Sequence, residues 1–231
     1  MSSPRTKSAK SPDAHTPERD ETSAPSESLD TRERILRATW RLLEERRGQN
    51  VRLEDVARAA NVSRQAVYLH FGSRTTLFVE TARYADESLK LIERIRGACD
   101  AETGVVAIEA YVRFWASYVP DIYGLAKALL ALREIDEAAA AAWNDRMAAL
   151  RGGCVTMLCQ VNRNGAPAIP LTAPWTVETA ADFFYAALSI PTWESLTIER
   201  GWSSEEYIER VTLAIKRALL LTSGEYPAHA E

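Results

Sequence analysis

Apolar residues return every three to four positions along most of the chain, the spacing of helices with one buried face. From Asp30 the stripe Ile35, Leu36, Ala38, Leu42 and Leu43 predicts a first helix, with Arg32, Arg34, Arg37 and Arg41 mostly off it. Asp30 with Glu33 three residues on is a capping-box arrangement built on Asp. Gly48 supplies the break. Leu53, Val56, Ala57 and Ala60 then fall at i, i+3, i+4 and i+7, so a short second helix starts near Arg52. Asn61 suits the left-handed residue that ends it. Ser63 stands as N-cap of a third helix, Arg64 to His70. Ala66 and Val67 are its packing residues; Arg64, Gln65, Tyr68 and His70 are its polar ones. Ser73 caps a fourth. Its stripe runs through Leu77, Ala82, Ala85, Leu89, Ile92 and Ile95 to Gly97, a single rod of about 24 residues.

The same period continues. A helix from Val105 to Tyr118 carries Ile108, Val112 and Trp115 on one face and is ended by Pro120; another spans Asp121 to Leu132. Asp136 to Gln160 runs through Trp143, Met147, Leu150, Cys154 and Met157. Three prolines and a glycine make Asn162 to Pro174 a loop. Val177 to Ile190 is stopped by Pro191. A last helix, capped by Ser203 or Ser204 with Glu206 near its third position, carries Ile208, Val211, Ile215, Ala218 and Leu219. No strand pattern and no internal repeat competes. The expected fold is all-α, about nine helices. Residues 1–29 are rich in Ser and Pro, and Leu29 is their only large aliphatic residue after Met1. Such a segment buries too little apolar surface to offset its ordering entropy, so disorder is expected there.

Two short helices joined by a turn of three or four residues make a helix-turn-helix, whose second helix fits a DNA major groove. Net charge changes how that is weighed. The chain is −4 overall, which argues against a polyanion partner. Yet residues 31–79 hold 10 Arg, no Lys and 5 acidic residues, while residues 80–231 hold 14 basic and 21 acidic. A basic module on an acidic body suits nucleic-acid binding; chance clustering of solvated arginines gives the same count.

Other chemistry finds little support. The three cysteines, Cys99, Cys154 and Cys159, have no paired spacing and read as reduced, buried small hydrophobes of a cytoplasmic protein. Two of the three histidines, His15 and His229, lie in terminal segments, which leaves a metal site almost without ligands. None lies between His70 and His229, as Ser/His/Asp catalysis in the body requires. No glycine-rich phosphate loop is present. The chain is not expected to be an enzyme, to bind a metal or to need a cofactor. No apolar run approaches the roughly 18 residues that span a bilayer, and the N-terminus has no apolar stretch of the secretory kind.

Ile35-Leu36, Leu42-Leu43, Gly48, Asp55-Val56-Ala57, Ala60-Asn61-Val62-Ser63, Val67-Tyr68, His70-Phe71, Ser73-Arg74 and Leu77 follow one another over about 50 residues. In that order they resemble the tetracycline-repressor (TetR) family of regulators. The segment departs from the family at Arg52, where Ser or Thr is usual, at Asn61 for Gly, at Arg74 for Lys and at Thr75-Thr76 for an acidic pair. The resemblance implies a helix-turn-helix DNA-binding domain over 30–76, a larger helical effector-binding and dimerisation domain over 77–223, and tails at 1–29 and 224–231. Arg64 and Gln65 sit where side chains reach base edges, Arg suiting guanine and Gln adenine. Tyr68, His70, Arg52 and Arg74 are assigned to phosphates.

The aromatic residues of the body recur at helical spacing, which plain core packing explains as well as a pocket does. The resemblance favours a pocket, for which Phe114, Trp115, Tyr118, Trp143 and Met147 are the candidates, taking an apolar or aromatic small-molecule effector. The family pairs its last two long helices into a four-helix bundle across a two-fold axis. The expected homodimer interface is Val177, Ala181, Phe184, Leu188, Ile208, Val211, Ile215 and Ala218. The implied function is a ligand-responsive DNA-binding transcription regulator, a repressor on a near-palindromic operator. Two other classes fit the residues: a constitutive architectural DNA-binding protein, and an all-helical interaction or lipid-binding module that never touches DNA.

Overall fold

The computed structural model describes residues 24–99, 104–159 and 171–220. They form ten α-helices: α1 Ala24–Glu45, α2 Leu53–Ala59, α3 Arg64–Phe71, α4 Arg74–Ser88, α5 Leu91–Cys99, α6 Gly104–Leu132, α7 Glu137–Leu158, α8 Val177–Ala187, α9 Ile190–Glu194 and α10 Ser204–Leu219. A π-helical turn, Ser195–Glu199, continues α9. The one extended pairing among the described residues is an isolated antiparallel bridge between Leu171 and Leu220.

α1, α2 and α3 close around Ile35, Leu36, Val56 and Val67, all fully buried. The turn chemistry follows the side chains. Asn61 takes a positive φ of 53° past the end of α2. Ser63 Oγ accepts from Ala66 N and Ser73 Oγ from Thr76 N, capping α3 and α4. Arg52, which has no capping oxygen, stands at the N-cap of α2 without a side-chain bond. Gly48 is required twice over. Its φ is 76°, and a Cβ there would collide with Leu132 Cδ1, so the turn after α1 docks directly on the end of α6.

Four sequence expectations are corrected. α1 begins at Ala24, so the expected tail is helical over its last six residues, and Asp30 lies inside α1 instead of capping it. The rest of that tail, 1–23, and the expected tail at 224–231 lie outside the described residues. The single rod is two helices, because Lys90 at φ 55° turns the chain between α4 and α5. Pro120 ends nothing. α6 runs through it, and packing of α6 against α1, α5, α7, α9 and α10 offsets the lost hydrogen bond, a cost of about 3 kcal/mol. Pro191 opens α9 instead of closing α8; Ser189 caps α9, and proline in a first turn sacrifices no intrahelical bond.

The body is built around α6, against which α5, α7 and α10 all pack. α4 is the hinge of the architecture. It packs on α1 in the N-terminal module and along α7 in the body.

Candidate nucleic-acid interface and the cavity behind it

α3 has eight residues, and its two sides differ sharply. Val67 and Phe71 point into the module and are buried. Gln65, Tyr68 and Leu69 occupy the opposite arc and are exposed, with His70 at its margin; Arg64, one turn before Val67, is exposed because it opens the helix. Arg64 Nε lies 3.1 Å from Glu54 Oε1 on α2. The pair is solvated and worth little, but it parks the guanidinium beside the outward face. Leu69 was not singled out from the sequence, where an apolar residue reads as core; here it is 77% exposed.

The +5 charge of the arginine-rich segment is less free than its count suggests. Arg46 and Arg58 share Asp55, at 2.8 and 3.2 Å, and the Arg46 hydrogen bond holds that carboxyl below its ordinary range. Arg32, Arg34, Arg37 and Arg41 each sit against a carboxylate on α1 or α4. Among the described residues Arg47 and Arg52, both exposed, have no such partner. They flank the open cleft between the turn after α1 and the start of α7.

Arg74, expected at a phosphate, has partners within the chain: its Nε donates to Val51 O at 3.0 Å, its Nη1 to Asp136 Oδ1 at 2.7 Å, and its guanidinium covers the Phe78 ring at 4.3 Å. Asp136 is also the N-cap of α7, accepting from Ala138 N and Ala139 N. This arginine therefore fastens the N-terminal module to the body.

Behind the module lies a cavity of about 310 Å³, bounded by α4, α5, α6 and α7. Phe114, Trp115, Tyr118, Trp143 and Met147, the five pocket candidates, all line it. The wall is not purely apolar. Asp86 of α4 and Arg146 of α7 also line it. Arg146 Nη1 donates to Asp86 Oδ2 and Tyr118 OH to Asp86 Oδ1. Burial, with Asp86 beside it, drives the Tyr118 hydroxyl far above its ordinary pKa and keeps it a donor. Arg146 also donates to Asp145, which Arg83 holds at 2.6 Å. No spacing in a single sequence flags residues 60 positions apart, so this network was not anticipated.

α4 and α7 are thus tied at three levels: Arg74 to Asp136 near the module, Arg83 to Asp145 midway, and Asp86 to Arg146 at the cavity. Each pair joins the helix that opens beside α3 to the helix that forms a cavity wall.

The interface residues expected on α8 and α10 are corrected as well. Ala181, Phe184, Leu188, Ile208, Val211 and Ile215 are buried within the single chain and form part of its own core. Only Val177 and Ala218 retain surface. The stripe that the sequence shows on each helix is the one facing α6, α7 and the other helix of the pair. What α10 offers outward includes Leu213, 46% exposed, and Ala214.

No helix among the described residues is long and apolar enough to cross a membrane, and no cluster of metal-ligating side chains occurs among them.

Residues 35–81 match the sequence profile of the bacterial regulatory proteins, tetR family. No curated protein sequence matches the chain. Among solved structures, a Rhodococcus sp. protein described as a TetR-family transcriptional regulator superposes with a TM-score of 0.64 at 19% identity, covering 83% of this chain and 99% of that one. NalD of Pseudomonas aeruginosa, the secondary repressor of the MexAB-OprM multidrug efflux pump, gives 0.62 at 20% identity, covering 86% and 100%. The transcriptional regulator FadR of Bacillus subtilis, in complex with stearoyl-CoA, gives 0.62 at 13% identity, covering 80% and 98%. At these identities the likeness is one of fold.

Proposed function

We propose, from the match of residues 35–81 to the bacterial regulatory proteins of the tetR family, that the chain is a ligand-responsive transcription regulator that binds a near-palindromic operator as a homodimer. The observation that carries the reading is the outward arc of α3. A short, doubly capped helix presents Arg64, Gln65 and Tyr68 to solvent while a helical body encloses a cavity behind it. Arg64 and Gln65 read base edges, and Tyr68, His70, Arg52 and the unpaired Arg47 hold phosphates. Two copies, paired through the outer faces of α8 and α10, set two α3 helices into successive major grooves about 34–36 Å apart.

The cavity takes the effector. Its aromatic walls favour an apolar body, and its size is near the small end of ligand sites, about 300–1,000 Å³. Asp86, Arg146 and Tyr118 give that ligand one polar edge to address. A ligand that displaces Arg146 from Asp86 changes how α4 lies along α7, and α4 begins one residue after the cap that follows α3. Such a ligand biases the equilibrium by as much as its affinities for the two arrangements differ.

The test is titration of the full chain into a duplex spanning the region next to its own gene, against a scrambled duplex. Preference for the first that Arg64→Ala and Gln65→Ala abolish supports the reading. Equal binding to both with a steep salt dependence gives an architectural protein instead. No binding to either gives a module that does not use DNA.

A further inference from the structure

Leu69 is the most exposed large apolar residue of the N-terminal module, at 77%. A single exposed leucine is ordinary on a protein surface. This one is not placed at random. It sits on the arc of α3 that carries Gln65 and Tyr68, turned away from the buried Val67 and Phe71. Its direction is about 40° round the helix from Gln65 and about 6 Å further along the axis. The arc therefore presents Gln65 in its first turn, and Tyr68 with a branched apolar side chain in its second.

Among base edges in the major groove, one group is apolar: the C5-methyl of thymine. Burying a methyl against a leucine removes apolar area from water on both sides, and the side chain brings no donor or acceptor that a different base could satisfy. We propose that Leu69 is a specificity-determining residue that reads a thymine methyl in each half-site. The proposal rests on the DNA-binding reading above. Base pairs rise about 3.4 Å each, so the thymine lies within about two base pairs of the base that Gln65 addresses.

The experiment isolates the methyl. The full chain selects its operator from random-sequence duplexes, and each thymine of the selected site is then replaced singly by uracil. That change leaves every pairing edge intact and deletes only the methyl. One thymine per half-site is expected to be sensitive, its uracil duplex binding the wild type about fourfold more weakly, the value of one buried methyl group. Leu69→Ala is expected to bind thymine and uracil duplexes alike while keeping the preference at the positions read by Arg64 and Gln65. Because Leu69 is 77% exposed and outside the buried core, the variant should melt with the wild type. Sensitivity to uracil that survives in Leu69→Ala, or no sensitive thymine in a duplex that the chain does select, overturns the assignment while leaving DNA binding intact. Failure to enrich any sequence removes the DNA reading, and the assignment with it.

Discussion

The outward face of α3 and the wall of the cavity are the two chemically loaded surfaces of this protein, and they are built on opposite terms. On α3 the functional candidates Gln65, Tyr68 and Leu69 are exposed, while a separate set, Val67 and Phe71, holds the helix in place. In the cavity no such division exists. Tyr118 is fully buried, Trp115 nearly so, and both are core residues of α6 as well as cavity walls. One surface can change its chemistry without disturbing the fold; the other cannot. Specificity for DNA should therefore be separable from stability, and specificity for the effector should not.

The sharpest contrast is Trp115→Ala against Gln65→Ala. Truncating a buried tryptophan costs about 3–5 kcal/mol, whereas a substitution at an exposed position away from caps and networks stays within about 0.5 kcal/mol. Denaturant unfolding of both variants measures the gap. If Trp115→Ala loses less than about 1 kcal/mol, the wall is plastic and the contrast fails.

Next in size is Asp86→Ala. It strips the carboxylate from Arg146 and from the Tyr118 hydroxyl at once. Breaking a fully buried pair costs about 3–5 kcal/mol. Here the two side chains keep 16% and 23% of their surface, so solvent reaches them and about 2 kcal/mol is expected. The double variant Asp86→Leu with Arg146→Met should recover most of that loss, since no orphaned charge remains. Recovery in stability without recovery of ligand response would show that the pair serves sensing more than folding.

The two surfaces also differed in what their residues disclosed beforehand. The helix-turn-helix was legible because its evidence is local: Ser63 and Ser73 cap, Asn61 turns, and Val56 and Val67 fall at their spacing. The face that α3 turns outward followed from that frame, except for Leu69, whose apolar character argued for the core. A helical wheel holding Val67 and Phe71 inward would have placed it outside. In the body the five aromatic and Met candidates did meet at one cavity, yet the Asp86–Arg146 pair joins helices distant in sequence, where periodicity is silent. The stripes on α8 and α10 misled for a physical reason. A buried stripe says that something covers it, not what; the cover here is the rest of the same chain. Pro120 and Lys90 misled in opposite senses, since packing carried a helix through a proline and a turn interrupted a run with no breaker in it.

At the reading face the expected effect is on binding alone. Arg64→Ala should weaken operator binding by about 1–3 kcal/mol per half-site and relax the preference at one base, with unfolding unchanged. Glu54→Gln, which releases Arg64 from its resting partner, should strengthen binding slightly and at all sequences. Fluorescence anisotropy on selected and scrambled duplexes separates these. A stability loss in Arg64→Ala as large as its loss in binding would make α3 resemble the cavity after all.

The smallest effect lies where the two regions meet. Asp136 does two jobs at once, capping α7 through Ala138 N and Ala139 N and pairing with Arg74. Asp136→Asn keeps a capping oxygen and removes the charge, so it isolates the pair. The hydrogen bond from Arg74 holds the Asp136 carboxyl below its ordinary range. A carboxyl depressed on folding contributes stability above its unfolded pKa, near 3.9, and loses it as pH falls through the lower folded value. At pH 7 the variant should be less stable than the wild type by about 1 kcal/mol. Below about pH 4 the gap should close, because the wild type gives up what the variant never had. Asp145, depressed mainly by its hydrogen bond from Arg83, keeps an acid limb in both proteins, so the difference between them is the quantity to follow. Denaturant unfolding at pH 7, 5 and 3 measures it. A gap that stays constant across that range would mean that the seam is held by the cap and by the packing of Gly48 on Leu132, with the charge pair contributing nothing.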